Sequence, residues 1–196
     1  MTSLSRWPIA AVLLLVAGGC SARDASKGVQ TLVPPDQFLD YNGFVCNVQP
    51  TLIRRCSYLA CHGEASHALR VYSVGKLRES GATAKADRDA PLTADEIELN
   101  FSSASGIVYA VPAAERDPAN PTLNNDPLLL KPLAARFGGS EHHGVAVFPQ
   151  FGAATPSDDA DYTALVRWVG GEKEPTPPTK DCQDLFTALG VPPRSP

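Results

Sequence analysis

The chain has 196 residues, of which 43% are hydrophobic and 19% charged, and its formal net charge is −4. This composition excludes a fully disordered, highly charged chain, and an acidic chain without basic blocks is a poor candidate for binding nucleic acid. Because 18 of the residues are proline, we expect many loops and a handful of short helices.

Residues 1–19 have the pattern of a signal peptide. Arg6 supplies a positive charge, and the apolar run from Trp7 to Ala17 is shorter than the ~20 residues that span a bilayer. Small residues then precede Cys20, which resembles a bacterial lipoprotein signal, where that cysteine becomes the lipidated N-terminus. The resemblance implies a chain anchored to a membrane of the cell envelope, and Ser21 favours the outer membrane. The alternative is an ordinary secretory signal that leaves Cys20 free.

The mature chain divides into three predicted parts. Residues 20–35 are polar and end in two prolines, which is typical of a tether between a lipid and a domain. Residues 36–171 form the predicted domain. Residues 172–196 contain a proline-rich linker and a short C-terminal helix, which Cys182 attaches to the domain.

The first helical pattern of the domain leads into a cysteine. Apolar residues recur at helical spacing between residues 37 and 55. Because Gly43 and Pro50 interrupt this spacing, we predict two helical pieces, the second ending on Cys56.

Four further helices follow. The capping-box pattern of Thr93 to Glu96 predicts a helix that fades by Gly106, with Ile97 and Phe101 facing inward. Asp126 and Pro127 suit the N-cap and first position of a short turn. The last two predicted helices cover residues 158–169, with Ser157 as the cap, and residues 181–189.

The cysteines carry the chemical information. Export places them in an oxidising compartment. Without Cys20, four cysteines remain, namely Cys46, Cys56, Cys61 and Cys182. Four cysteines allow three disulfide pairings, or one disulfide plus one covalent cofactor.

Two of these cysteines belong to a motif. Cys56 and Cys61, followed at once by His62, form the pattern C-x-x-x-x-C-H. Haem c attachment uses two thiols for thioether bonds and the adjacent histidine as the proximal iron ligand. The common motif is C-x-x-C-H, so we expect the two extra residues to bulge outward. A plain disulfide between the two cysteines is the alternative.

The order of the elements resembles single-haem cytochrome c-like domains of bacterial lipoproteins. The matching segments are residues 48–63 around the motif, Leu128 to Pro132, His143-Gly144, and Asp161-Tyr162 through Leu165 to Trp168. The resemblance implies a mainly α fold, a small cytochrome c-like helical domain with long loops rich in proline and glycine. Its first and last core helices would cross near the edge of one covalent haem c. It also implies that Cys56, Cys61 and His62 bind this haem.

The second iron ligand is a histidine in this interpretation, because Met1 leaves with the signal and the mature chain has no methionine. His67 is too close to His62 in sequence to reach the other face of the haem. We favour His143, which matches the His-Gly position of the family, and His142 is the substitute. With neither, the iron would be five-coordinate.

These interpretations define the functional expectations. If haem takes the motif cysteines, Cys46 and Cys182 remain and should form a disulfide. The leading hypothesis is a membrane-tethered electron carrier rather than a catalyst, which passes single electrons to a redox partner protein. The alternative is a cofactor-free structural or interaction lipoprotein stapled by disulfides. An enzyme such as a peroxidase, or a gas sensor, has no further support in the sequence.

Overall fold

The computed structural model describes residues 39–81, 83–108, 126–142, 146–150, 152–175 and 178–195. The contacts divide the chain into Met1–Leu32, which lies outside these ranges, and Val33–Pro196, which contains all of them. The predicted signal peptide and the predicted tether, residues 1–35, therefore lie outside the described residues.

The described part is mainly α, as predicted. Its α-helices are α1 (Tyr41–Gly43), α2 (Gln49–Arg55), α3 (Lys85–Arg88), α4 (Ala94–Val108), α5 (Pro127–Leu130), α6 (Ala160–Val169) and α7 (Lys180–Leu189). A π-helix covers Phe44–Val48, and two 3₁₀ turns cover Ala135–Phe137 and Pro156–Asp158. Within the described ranges, extended pairing is limited to one isolated parallel bridge between Leu133 and Phe148.

The first helical region is continuous, so the predicted break into two separate pieces is wrong. The π-helix joins α1 to α2 without an intervening loop, and the N–H of Gln49 donates to the carbonyl of Phe44 five residues earlier. A π-turn is wider than an α-turn. This wider turn directly precedes Pro50, whose missing N–H and bulky ring interrupt an ordinary helix.

The predicted capping box of α4 is confirmed. The N–H of Glu96 donates to Thr93 Oγ1, and the N–H of Thr93 donates to Glu96 Oε2. Ile97 and Phe101 are buried as expected, and the helix continues to Val108, past Gly106. No atom approaches the position of a side chain at Gly106, so this glycine lies on an open face of the helix.

The first helical region packs against α6 in the core. The rings of Phe44 and Trp168 are 5.3 Å apart, and Trp168 Nε1 donates to the carbonyl of Asp40. The predicted cap of α6 is wrong: Asp159, not Ser157, accepts hydrogen bonds from the first backbone N–H groups of the helix. A 3₁₀ turn occupies Pro156–Asp158, so Ser157 lies before the helix.

The remaining helices follow their sequence signals. Asp126 caps α5, with its side chain accepting from the N–H of Leu128, and the helix ends before Pro132. Gly190 has φ of 68° and ends α7. Among the described residues, no helix is long and apolar enough to cross a membrane.

A disulfide joins Cys182 in α7 to Cys46 in the π-helix, with the two Cα atoms 5.3 Å apart. This is the pairing predicted from the sequence. It connects residues separated by 136 positions, so the final helix is attached covalently to the first helical region.

Candidate functional site

The candidate site begins at the C-terminal end of α2, which an acidic side chain of α6 holds in place. Asp161 accepts hydrogen bonds from Arg54 and Arg55 of α2, from Thr51 one turn earlier, and from the side chain of Gln150. Burial raises the pKa of Asp161, but the hydrogen bonds from the two arginines outweigh it, and the pKa lies below its ordinary value. The ionised carboxylate therefore fixes the end of α2 directly before Cys56.

The chain after α2 turns back on itself, which brings His62 next to Cys56. The N–H of His62 donates to the carbonyl of Cys56 at 3.0 Å, and the N–H groups of Cys61 and Gly63 both donate to the carbonyl of Tyr58. A Cβ atom at Gly63 would lie 2.2 Å from the carbonyl oxygen of Ser57. Only glycine fits this close approach of two backbone segments.

The residues that lengthen the motif protrude from the protein. We call residues 57–60, between the two cysteines, the attachment loop. Its Tyr58 and Leu59 side chains are 56% and 62% exposed. Ser57 is completely buried, whereas residues 58–60 are exposed and form the outward bulge expected from the sequence.

The two motif cysteines are both free thiols, so the plain disulfide is not formed in this structure. Cys56 is buried, and Cys61 is partly exposed. Burial raises the pKa of Cys56 to about 12, and the neighbouring Cys61 adds to the shift. Cys56 is therefore a neutral thiol at physiological pH.

The imidazole of His62 has a defined orientation. Its Nδ1 lies 2.9 Å from the carbonyl oxygen of Leu69. A carbonyl oxygen only accepts hydrogen bonds, so Nδ1 carries the proton and Nε2 keeps its lone pair. Burial lowers the pKa of His62, despite the hydrogen bond to Leu69, and His142 and His67 lower it further. The ring is thus neutral, as metal ligation requires.

Helix α4 holds the segment that orients His62. The side chain of Asn100 pairs with both the N–H and the carbonyl of Tyr72, and Ser103 Oγ accepts from the N–H of Arg70. The N–H of Val71 donates to the carbonyl of His62. Sequence reasoning did not identify Asn100, although a polar residue on the inward face of an amphipathic helix was a usable signal.

Two further histidines lie beside His62. The ring centroids of His142 and His62 are 5.8 Å apart with planes 28° from parallel, and the ring of His67 lies at the same distance from His62 with planes at 70°. The favoured residue His143 lies outside the described residues. The structure therefore brings the substitute histidine, from the distant loop after α5, next to the motif.

That loop is shaped by backbone contacts. The N–H of Ser140 donates to the carbonyl of Leu130, and a Cβ atom at Gly139 would lie 1.8 Å from the carbonyl oxygen of Leu133. Gly138 has φ of 89°, in the left-handed region that favours glycine. The paired glycines thus allow the chain to turn sharply before it reaches His142.

The donor set fits a haem c group. It contains two thiols that are not bonded to each other, a neutral imidazole with a lone pair on Nε2, and a second imidazole nearby. The second imidazole, that of His142, has its ring centroid 5.8 Å from that of His62. Among the described residues, no cluster of three or more His, Cys, Asp or Glu side chains is arranged to hold a bare metal ion.

Comparison of the chain with family models, with curated proteins and with solved structures found no match.

Proposed function

We propose that the chain is a haem c protein of the cell envelope, anchored through a lipid on Cys20, that carries single electrons to a redox partner protein. The observation that supports this most is the arrangement of the motif. Two free thiols, those of Cys56 and Cys61, lie on one tight turn with His62, whose Nδ1 is hydrogen-bonded to a backbone carbonyl. A haem bound there would supply an iron that gains and loses one electron.

The residues of the motif have separate roles in this proposal. Cys56 and Cys61 would hold the group through two thioether bonds, and His62 would bind the iron through Nε2. The carbonyl of Leu69 keeps the imidazole in one tautomer and orientation and increases its basicity as a ligand. The burial of Cys56 keeps its thiol protonated and away from solvent.

The second iron ligand in this proposal is a histidine from the loop after α5. Among the described residues, His142 is the candidate, because its ring lies beside that of His62 and it comes from a distant loop, whereas His67 is too close to His62 in sequence to reach the other face of a haem. Two imidazoles favour the oxidised iron more than an imidazole and a thioether do. The reduction potential should therefore lie below that of cytochromes with His and Met ligands, and a sulfur-to-iron charge-transfer band should be absent.

Haem staining tests the attachment. The full chain is produced in a host with active haem-ligation machinery, denatured and separated on a gel. We expect the wild-type chain to retain covalent haem and the Cys56→Ala/Cys61→Ala variant to lose it completely. A folded, colourless wild-type chain would overturn the proposal.

The ligand assignment has its own test. We expect His142→Ala to convert the ferric spectrum from low spin to high spin. The matched control is His67→Ala, whose ring is equally distant from His62 and should leave the spectrum low spin. A low-spin spectrum in the His142→Ala variant would assign the second iron ligand to His143. A wild-type protein that is already high spin would exclude two histidine ligands.

The alternative is a cofactor-free structural or interaction lipoprotein. The Cys46–Cys182 disulfide favours it, because it attaches the last helix to the first helical region without any cofactor. Under this alternative the colourless protein would unfold cooperatively, and the Cys56→Ala/Cys61→Ala variant would behave like the wild-type chain.

A further inference from the structure

The attachment loop exposes apolar side chains next to the candidate site. Tyr58 and Leu59 are the two most exposed large hydrophobic residues among those described. They lie between the two cysteines proposed to hold the haem, so a molecule in contact with them would also lie close to that haem. Exposed tyrosine and leucine side chains at the edge of a redox site suit a protein contact more than they suit solvent.

One cation contacts this loop, and a second lies next to the residue that orients His62. Lys76 Nζ lies 4.2 Å from the centre of the Tyr58 ring and donates to Ser57 Oγ at 2.7 Å. The exposed Arg70 directly follows Leu69, whose carbonyl binds His62. We call Tyr58, Leu59, Arg70 and Lys76 the loop patch.

The cations of the loop patch have no carboxylate partner. Within the described part of the chain, neither Arg70 nor Lys76 forms an ion pair with a carboxylate, whereas five other exposed cations do. These paired cations are Arg54, Lys85, Arg167, Lys180 and Arg194. The positive charge of the loop patch therefore remains available to a partner.

The charge of the surrounding segment has the same sign. Residues 54–76 contain four cations and one carboxylate, Glu64, although the whole chain has a net charge of −4. Two of these cations, Arg54 and Arg55, are paired with Asp161, so Arg70 and Lys76 supply the unpaired positive charge beside the candidate site. Such an asymmetry steers oppositely charged partners toward one face.

We propose that the loop patch is the docking surface for an acidic electron-transfer protein, whose carboxylates would face Arg70 and Lys76 while an apolar centre covers Tyr58 and Leu59. This proposal rests on the proposed haem function. A membrane surface is the less favoured occupant, because two cations attract anionic lipids only weakly and because a lipid surface would cover the site without accepting an electron.

The test uses the haem-loaded full chain and an acidic one-electron carrier protein, such as a flavodoxin. Haem content and the ferric spectrum are measured first, so that loss of the haem function is distinguished from loss of docking. We expect Tyr58→Ser/Leu59→Ser and Lys76→Gln each to lower the bimolecular electron-transfer rate at low salt, by about tenfold when combined. Isotope-labelled chain titrated with the carrier should show amide shift changes centred on residues 57–60, 70 and 76.

The matched controls remove the same chemistry elsewhere. Leu99→Ser replaces another exposed apolar residue, and Lys180→Gln removes another exposed cation; both should leave the rate within about twofold of wild type. Equal rates in patch variants and controls, with haem intact, would overturn the proposal. A second outcome would also overturn the proposal. In that outcome the Cys20→Ser variant, which lacks the lipid, binds anionic vesicles through the loop patch, while the patch variants keep the wild-type rate of electron transfer with the carrier.

Discussion

The side chains of Arg78 and Glu96 form their hydrogen bonds with other groups of the protein. Arg78 donates two hydrogen bonds to Glu96 and four to backbone carbonyls of residues 87–91, and Glu96 also accepts from the N–H groups of Glu79 and Thr93. Both side chains are buried. This polar cluster is complete without any further molecule.

The motif from Cys56 to His62 is organised in the opposite way. Its backbone forms turn hydrogen bonds, but its two thiols are not bonded to each other, and the imidazole uses one nitrogen internally and keeps the lone pair of the other. The comparison teaches how to separate groups that stabilise a fold from groups that serve a ligand. A buried ion pair whose hydrogen bonds are all formed within the protein stabilises the structure. Reactive groups that are held in a fixed orientation but have no partner within the protein point to a ligand.

The largest expected effect on stability comes from breaking the buried Arg78–Glu96 pair. Glu96→Gln leaves the buried guanidinium of Arg78 without its counter-charge, and we expect the free energy of unfolding to fall by about 3–5 kcal/mol. Glu98→Gln is the control, since Glu98 lies on the same helix but is partly exposed and pairs with Arg194; it should cost less than about 1 kcal/mol. Urea denaturation followed by circular dichroism measures both. Equal losses would contradict the assigned role of the buried pair.

A smaller loss of stability, combined with loss of haem, is expected from Gly63→Ala. The new Cβ would overlap the carbonyl oxygen of Ser57, so the turn must shift, at a cost of about 1–3 kcal/mol. Covalent haem staining should decrease strongly because the turn positions His62. Gly106→Ala is the control: it meets no neighbouring atom and should stabilise α4 by about 0.5–1 kcal/mol. Unchanged staining in Gly63→Ala would show that the turn geometry is not needed for attachment.

The smallest of these effects is expected at Asp161, which links α2 to α6. Asp161→Asn should lower the free energy of unfolding by about 1–2 kcal/mol at neutral pH, because it removes charged hydrogen bonds to partly exposed arginines. The pKa of Asp161 is depressed in the folded chain. The difference between wild type and variant should therefore be constant above the unfolded pKa of about 4 and disappear as the pH falls through the folded pKa. A difference that persists in acid would assign the effect to shape instead of charge.

The sequence predicted the elements whose signals are local. The capping box at Thr93 and Glu96 and the Asp126-Pro127 start of α5 were read correctly, since each depends on residues within one turn. The cap of α6 was misassigned, because Ser157 and Asp159 are both good capping residues, and the 3₁₀ turn that excludes Ser157 depends on Thr155.

Features that depend on distant contacts were harder to predict. Pro50 suggested a break in the helix, but the π-helix before it keeps the helical region continuous. No local sequence pattern predicts a π-turn. The positions of Leu69 and Asn100 around His62 follow from tertiary packing. The motif itself could be recognised from the sequence, since Cys56, Cys61 and His62 are close neighbours, whereas the proximity of His142 could not be derived from its position in a distant loop.

The central claim is that Cys56 and Cys61 hold one haem covalently. The most direct measurement is mass spectrometry of the tryptic peptide between Arg55 and Arg70, from chain produced alongside haem-ligation machinery. The account predicts that this peptide carries the mass of one haem attached through both sulfurs, while Cys46 and Cys182 appear as a disulfide-linked pair. A peptide with a Cys56–Cys61 disulfide, or with two unmodified thiols, would contradict it.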